Sequence, residues 1–322
     1  MKPLNLIPAD TNIQFMSNRV IFFVISAFLV LASIGVVASK GLNFGIDFKG
    51  GILIEVRTEG PADVSAMRGQ LGALGLGDIS LQEFGAPTDV LIRIQRQEGD
   101  DDAQQKAVEA VKAELGASVT YRRTEFVGPK VSDELFWDGV LAVGLAILAI
   151  LVYIWFRFEW QFGMGAVIAL SHDVISTIGI FALLGLEFNL STVAAVLTIA
   201  GYSINDTVVV YDRVRENLRK YKKMEFGQLL NDSINQTLSR TVMTSVTTLL
   251  ALLALYFLGG AVIKDFSFAM IWGVIIGTYS SICLAVPIML YLNVDRGGAM
   301  AADQAEGEGG SDSVEAAAEE AP

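Results

Sequence analysis

Long apolar runs with a single long polar interruption set the plan of this 322-residue chain. Six stretches, Val20–Ala38, Leu135–Phe156, Phe162–Leu184, Leu190–Val210, Thr241–Leu258 and Phe268–Leu292, are apolar over about the 20 residues that a helix needs to cross a bilayer. The first has a 19-residue apolar core. That is longer than the roughly 7–15 residues of a secretory signal, and the basic segment before it is thin, so it reads as an uncleaved span.

Between the first two spans, residues 39–134 change period. Gly51–Thr58 alternates and is rich in β-formers, which predicts a strand. A helix follows, with Val64, Met67, Leu71 and Leu74 at helical spacing and Pro61 near its start. Ile79–Phe84 and Asp89–Arg96 flank a Gly-Ala-Pro-Thr turn and predict a hairpin. Asp101–Leu115 reads as a helix with acids in its first turn, where the dipole favours them, and Ser118–Val127 as a closing strand. The order β-α-β-β-α-β is the split βαβ of a ferredoxin-like fold. The fold class expected is therefore a polytopic α-helical membrane protein of six spans, with an α+β ferredoxin-like domain between spans one and two.

Composition agrees with a membrane class: 52% of residues are hydrophobic and 18% charged. The net charge of −12 is unevenly spread, with sixteen of the 35 acids between Lys40 and Glu134 and eight in the last thirty residues, a pattern that excludes a nucleic-acid binder. One cysteine, Cys283, permits neither an internal disulfide nor a CxxC site, and the lone His172 cannot build a multi-histidine metal site. No Walker motif is present, so direct ATP use is not expected. No catalytic constellation appears in residues 39–134, and neither an enzyme nor a cofactor is expected.

Basic residues orient the spans. Lys2, Arg19, Arg157, Arg213, Arg215, Arg219, Lys220, Lys222, Lys223, Arg240 and Arg296 fall on one side, and the two short loops opposite hold only Lys264. The positive-inside rule puts both termini in the cytoplasm and residues 39–134 outside. The plan is then a cytoplasmic segment 1–19, a first span 20–38, spans two to six within 135–292 with a cytoplasmic loop at about 211–240, and an acidic tail 293–322. The tail is rich in small residues and lacks aromatics, so it reads as disordered.

Several polar residues sit where lipid would penalise them. An aspartate at a span centre costs about 2.5–3.5 kcal/mol on insertion scales, so such a residue faces protein or water. In span three, His172, Asp173, Ser176 and Thr177 share a face; in span four, Thr198, Tyr202, Asn205 and Asp206 do. In span five, Thr237, Arg240, Thr241, Thr244 and Thr248 form a third stripe. Most of the hydroxyls serve as helix glue, and His172 with Asp173 suits a static pair. Asp206 and Arg240, an acid and a base on adjacent helices, suit a titrating pair. Outside, Gly45, Gly50 and Gly51 with Asp47 mark a rigid coupling between the first span and the outer domain. Gly273 and Gly277 form a GxxxG in span six.

The segments GIDFKGG, FRFEW (Phe156–Trp160), SHDV, TIAGYSINDTVVVYDRVREN (Thr198–Asn217) and NQTLSRT (Asn235–Thr241), in this order, resemble the SecF branch of the SecD/SecF family of bacterial protein-export membrane proteins, allied to the RND transporters. The resemblance covers roughly residues 15–292. It implies the bacterial inner membrane, a SecD partner completing a pseudosymmetric twelve-span unit, and contact with the SecYEG channel, with preproteins and with other membrane-insertion factors. It further implies use of the proton-motive force after the SecA ATP-driven step, with protons as coupling ion. By motif, the proton relay falls on Asp206 and Arg240, with Asn205, His172 and Asp173 beside them. Two rival readings are half of an RND-type exporter of small molecules or lipids and a passive scaffold. The single modest outer domain favours the first reading over an exporter.

Overall fold

The computed structural model describes residues 8, 11–99, 101–260, 263–292 and 294. Apart from Val294, the acidic tail lies outside the described residues. Among the described residues, six helices are long and apolar enough to cross a membrane: α1 (Arg19–Lys40), α5 (Pro129–Arg157), α6 (Trp160–Leu184), α7 (Leu190–Lys220), α8 (Phe226–Leu258) and α9 (Lys264–Ser280), the last running on through a π-helical turn, Ser281–Ala285. Three shorter elements follow α1: β1 (Asn43–Phe44), α2 (Ile46–Lys49) and β2 (Gly51–Thr58). The sheet domain continues with α3 (Val64–Gly72), β3 (Ile79–Phe84), β4 (Ala86–Ile94), α4 (Asp101–Leu115) and β5 (Val119–Val127). A two-residue strand, β6 (Glu187–Phe188), lies between α6 and α7.

The antiparallel sheet has the order β3-β4-β2-β5, as the split βαβ plan requires. Ile52, Ile54 and Val56 pair with Ile94, Ile92 and Val90, and this face is covered by Met67 and Leu71 of α3 and Ala107, Val111 and Leu115 of α4. Asp63 caps α3 by accepting from the Ser65 and Ala66 amides. The hairpin is tighter than the sequence suggests. Phe84 pairs with Ala86 across Gly85 alone, whose φ of +82° a non-glycine residue rarely adopts. The register slips between Glu83 and Phe84 to absorb the extra residues.

In the bundle, α6, α7 and α9 lie inside, whereas α1, α5 and α8 turn residues such as Phe28, Leu31, Leu145, Leu148, Leu250 and Phe257 outward. Small residues permit the close crossings. Gly179 of α6 lies against Ser33 of α1, and Gly273 and Gly277 of α9 lie against Ile199 and Ser203 of α7. A Cβ at Gly277 would stand 3.2 Å from the Ser203 side chain, so the GxxxG is a true packing seam.

The expected loop at 211–240 is instead mostly helix. With 31 and 33 residues, α7 and α8 run to nearly 50 Å at about 1.5 Å per residue, beyond the roughly 30 Å hydrocarbon core. Their polar ends read as loop because of their charges, but Tyr211, Val214 and Leu218 fall on one face and pack against Leu229, Leu230 and Ile234. Residues 13–16, just before α1, lie along this hairpin. Asn235 accepts from the Ile13 amide and donates to its carbonyl, and Asn231 accepts from the Met16 amide.

Candidate functional site: a buried carboxylate centre and an outer clamp

Asp173 of α6 is wholly buried and joins three helices. Its Oδ1 pairs with His172 Nδ1 at 2.9 Å, and its Oδ2 accepts from Ser203 of α7 at 2.5 Å and Ser280 of α9 at 2.7 Å. Ser176 and Thr177 donate back to the Asp173 backbone carbonyl. The span-three stripe therefore forms as expected, facing inward. His172 Nε2 is buried without a hydrogen-bond partner among the described residues.

One face of α7 grips the π-turn of the sixth span. Ser203, Thr207 and Tyr211 stand at i, i+4 and i+8. Thr207 Oγ1 lies 2.8 Å from Ser281 Oγ, Ser281 donates to the Ser203 carbonyl, and Tyr211 donates to the Ala285 carbonyl at 3.1 Å. Pro287 forfeits the helical bond to the Cys283 carbonyl and crowds it, a local reason for the wider turn just before it. Further along, Arg157 and Asp212 form an ion pair at 2.8 Å, and the Arg157 and Arg215 guanidinium groups lie over the Phe158 ring. The FRFEW segment thus anchors the end of α7.

Asp206 lies one turn from Ser203 and beside Thr207. It is buried, and its Oδ2 has no hydrogen-bond partner, although Tyr202, Ser203, Thr207, Tyr211, Asp212 and Asn217 around it are all bonded. Arg240 of α8 is exposed and makes no ion pair with it within 4.0 Å among the described residues. The expected stripe on span four also divides. Thr198 and Asn205 are exposed, because consecutive helical residues differ by about 100°, which turns Asn205 away from the face that buries Asp206. Span five divides likewise, with Thr237 and Thr241 buried and Arg240 outside.

The outer glycine segment does more than join α1 to the sheet domain. β1 pairs in parallel with β6, and the Gly45 amide donates to the Phe188 carbonyl at 2.9 Å. Asp47 Oδ2 accepts from the Leu190 amide, at the start of α7. Asn43 donates to the Gly185 carbonyl, and Arg93 of β4 forms an ion pair with Glu187 at 2.5 Å. Each glycine has a reason, that of Gly50 being its φ of +69°. A side chain at Gly45 would strike Glu187, and at Gly51, with φ +121°, a Cβ would lie 2.6 Å from the Ile94 carbonyl. Phe44, Phe48, Phe136 and Phe188 close the clamp with edge-to-face rings. Burial pushes the Glu187 carboxyl above its usual range, Arg93 draws it back, and Asp265 and Asp47 push it further up.

The sequence reading missed Arg93, Glu187, Ser203, Ser280 and Ser281. Glu187, a lone acid in the short loop between two spans, was the visible signal for the clamp; the Ser280–Ser281 pair was the signal for the centre. Among the described residues no group of three or more His, Cys, Asp or Glu side chains could hold a metal ion.

Residues 107–295 match the family described as protein export membrane protein SecD/SecF, C-terminal, and residues 35–62 match the SecD/SecF GG motif. The chain is similar to a protein translocase subunit SecF of Cereibacter sphaeroides, 50% identical over 304 residues that cover 92% of this chain and 94% of that one. It is similar also to the SecF subunit of Rickettsia akari, 48% identical over 291 residues that cover 89% and 94%. Among solved structures, it is similar to SecDF, a translocon-associated membrane protein from Thermus thermophilus, with a TM-score of 0.80 and 39% identity over 89% of this chain and 39% of that one. A SecDF crystal structure in a super-membrane-facing form gives a TM-score of 0.65 at 38% identity, over 92% and 40%. The chain therefore spans about two fifths of the SecDF chains it resembles.

Proposed function

This chain belongs to the SecD/SecF family as a SecF-type translocase subunit, and from that we propose that it works with SecD as a proton-driven auxiliary of protein export. In this reading it lies in the bacterial inner membrane with both termini in the cytoplasm. It assists preproteins through SecYEG after the ATP-driven SecA step, alongside other membrane-insertion factors, and carries no cofactor besides protons. One observation supports this most: Asp206 keeps a buried carboxylate oxygen without a partner, whereas the buried Ser203 and Thr207 beside it on α7 are both hydrogen-bonded. A satisfied structural acid would not be left so. The unpartnered oxygen is free to take a proton.

Asp206 takes a proton from outside and releases it inward, and the charge of Arg240 favours the release. His172 and Asp173 stand one helix away as a hydrogen-bonded pair, and Asn205 faces the exposed side of α7, where a second six-span half would approach. One charge moved across about 150 mV is worth roughly 3.5 kcal/mol, and one pH unit adds about 1.4. Near-complete switching of a two-state bundle needs about 5.5 kcal/mol, so one proton shifts it strongly and two switch it. The stroke reaches the outside through the start of α7. Asp47 holds the Leu190 amide and Arg93 holds Glu187, so movement of α7 carries the sheet domain with it.

The test is proton flux in liposomes under an imposed pH gradient. The chain with its SecD partner should conduct, the chain alone should not, and Asp206→Asn should silence the pair. Robust flux through the lone chain, or unchanged flux through the Asp206→Asn pair, would refute the reading.

A further inference from the structure

We infer that Asp173 is a positioning residue: through the hydroxyls of Ser203 and Ser280 it locks the rotation of α7 that keeps Asp206 buried. Both hydroxyls reach the same carboxylate oxygen, at 2.5 and 2.7 Å, from two different helices. His172 Nδ1 lies against the other oxygen, so both carboxylate oxygens have partners and the group suits a fixed anchor better than a carrier. Gly277 makes the anchor reachable, since any side chain there would press on Ser203.

The lock continues down α7. Ser203, Thr207 and Tyr211 form one ridge, bonded in turn to Asp173, to Ser281 and to the Ala285 carbonyl. Asp206 hangs between the first two rungs of this ridge, so its burial follows from where the ridge is held. A π-turn beneath the ridge supplies a segment that can change register, because it carries one residue more per turn than the α-helix on either side. When the ridge lets go of Asp173 and the π-turn, α7 turns and Asp206 leaves its dry position. The titratable side chains on the neighbouring helices here are His172 and Asp173 on α6, Arg240 on α8, and Tyr279 and Cys283 on the sixth span. None of them forms a hydrogen bond or ion pair with Asp206 among the described residues.

The inference rests on Asp206 being the acid of the proposed function, but its test does not use transport. In the complex with SecD, the rate at which a water-soluble carbodiimide with an added amine modifies Asp206 is measured at one fixed, mildly acidic pH by peptide mass spectrometry, with Asp206→Asn as the blank. Loss of one hydrogen bond to a charged group should speed modification about tenfold in Ser203→Ala and in Ser280→Ala. Ser280→Thr, which keeps the hydroxyl, should react at the parental rate. Equal rates in the parent and both alanine variants at equal yield of complex, including no reaction in any of them, overturn the inference. So does a Ser280→Thr variant that reacts like Ser280→Ala. Failure of the proposed function looks different: Asp206→Asn would retain gradient-driven flux whatever the modification rates.

Discussion

Arg93, on a strand of the sheet domain, and Glu187, in the short loop between the third and fourth spans, meet in an ion pair of 2.5 Å, with side chains 21% and 16% exposed. They are 94 residues apart in sequence and belong to different parts of the molecule. Their contact makes the sheet domain an extension of the loop that begins α7.

The two partners should not be equivalent on removal. Burial is the largest influence on Glu187 and raises its pKa, so the protonated form is favoured in the folded state and stability from this group falls as pH rises through that raised value. Glu187→Gln, which mimics the protonated group, should leave the thermal midpoint at pH 7 unchanged or slightly higher. Arg93→Ala leaves a half-buried carboxylate unpaired and should cost about 1–3 kcal/mol. Thermal unfolding in detergent distinguishes them, and equal losses from both would contradict the account.

Gly51→Ala should destabilise the sheet domain by about 1–3 kcal/mol, because alanine strains at φ +121° and its Cβ would press on the Ile94 carbonyl. Residues 51–127, whose apolar core is self-contained, should fold alone with a mixed helix–sheet circular dichroism spectrum. Thermal unfolding of the full chain in detergent, with and without the substitution, measures the cost. A purely helical spectrum would refute the fold assignment.

That domain should lose stability in acid. Arg57 holds Asp89 through two hydrogen bonds, at 2.5 and 2.6 Å, and lowers its pKa, against the opposing effect of burial. The contribution is complete above the ordinary carboxylate range, near pH 4, and disappears as pH falls through the lowered value. Asp89→Asn should flatten the fall in thermal midpoint between pH 5 and about pH 2, and salt should weaken the effect because Arg57 is half-exposed. An unchanged acid profile in the variant would assign the loss to other groups.

The spans and the strand order were legible because apolar runs and two-residue alternation are local signals. The helical ends of α7 and α8 were not, since their charges masked an apolar face formed only against each other. Asp206 stood out as an acid in an apolar run. Which of Asn205 and Asp206 turns inward, and that Asp173 rather than Asp206 gathers the hydroxyls, depend on rotations set by Gly273, Gly277 and the π-turn. Such rotations come from packing between helices distant in sequence, and side-chain spacing within one helix does not report them. The clamp was half legible: the glycines and Asp47 were visible, but their partner loop was not.

The central claim is that Asp206 lies in the bundle because its charge must change there. Preprotein translocation into inverted membrane vesicles, with and without an uncoupler, tests it most directly when Asp206→Asn is compared with the parent at equal assembly with SecD. The account predicts that the variant keeps the ATP-driven step and loses the uncoupler-sensitive component. A variant that keeps that component in full would show that Asp206 is structural.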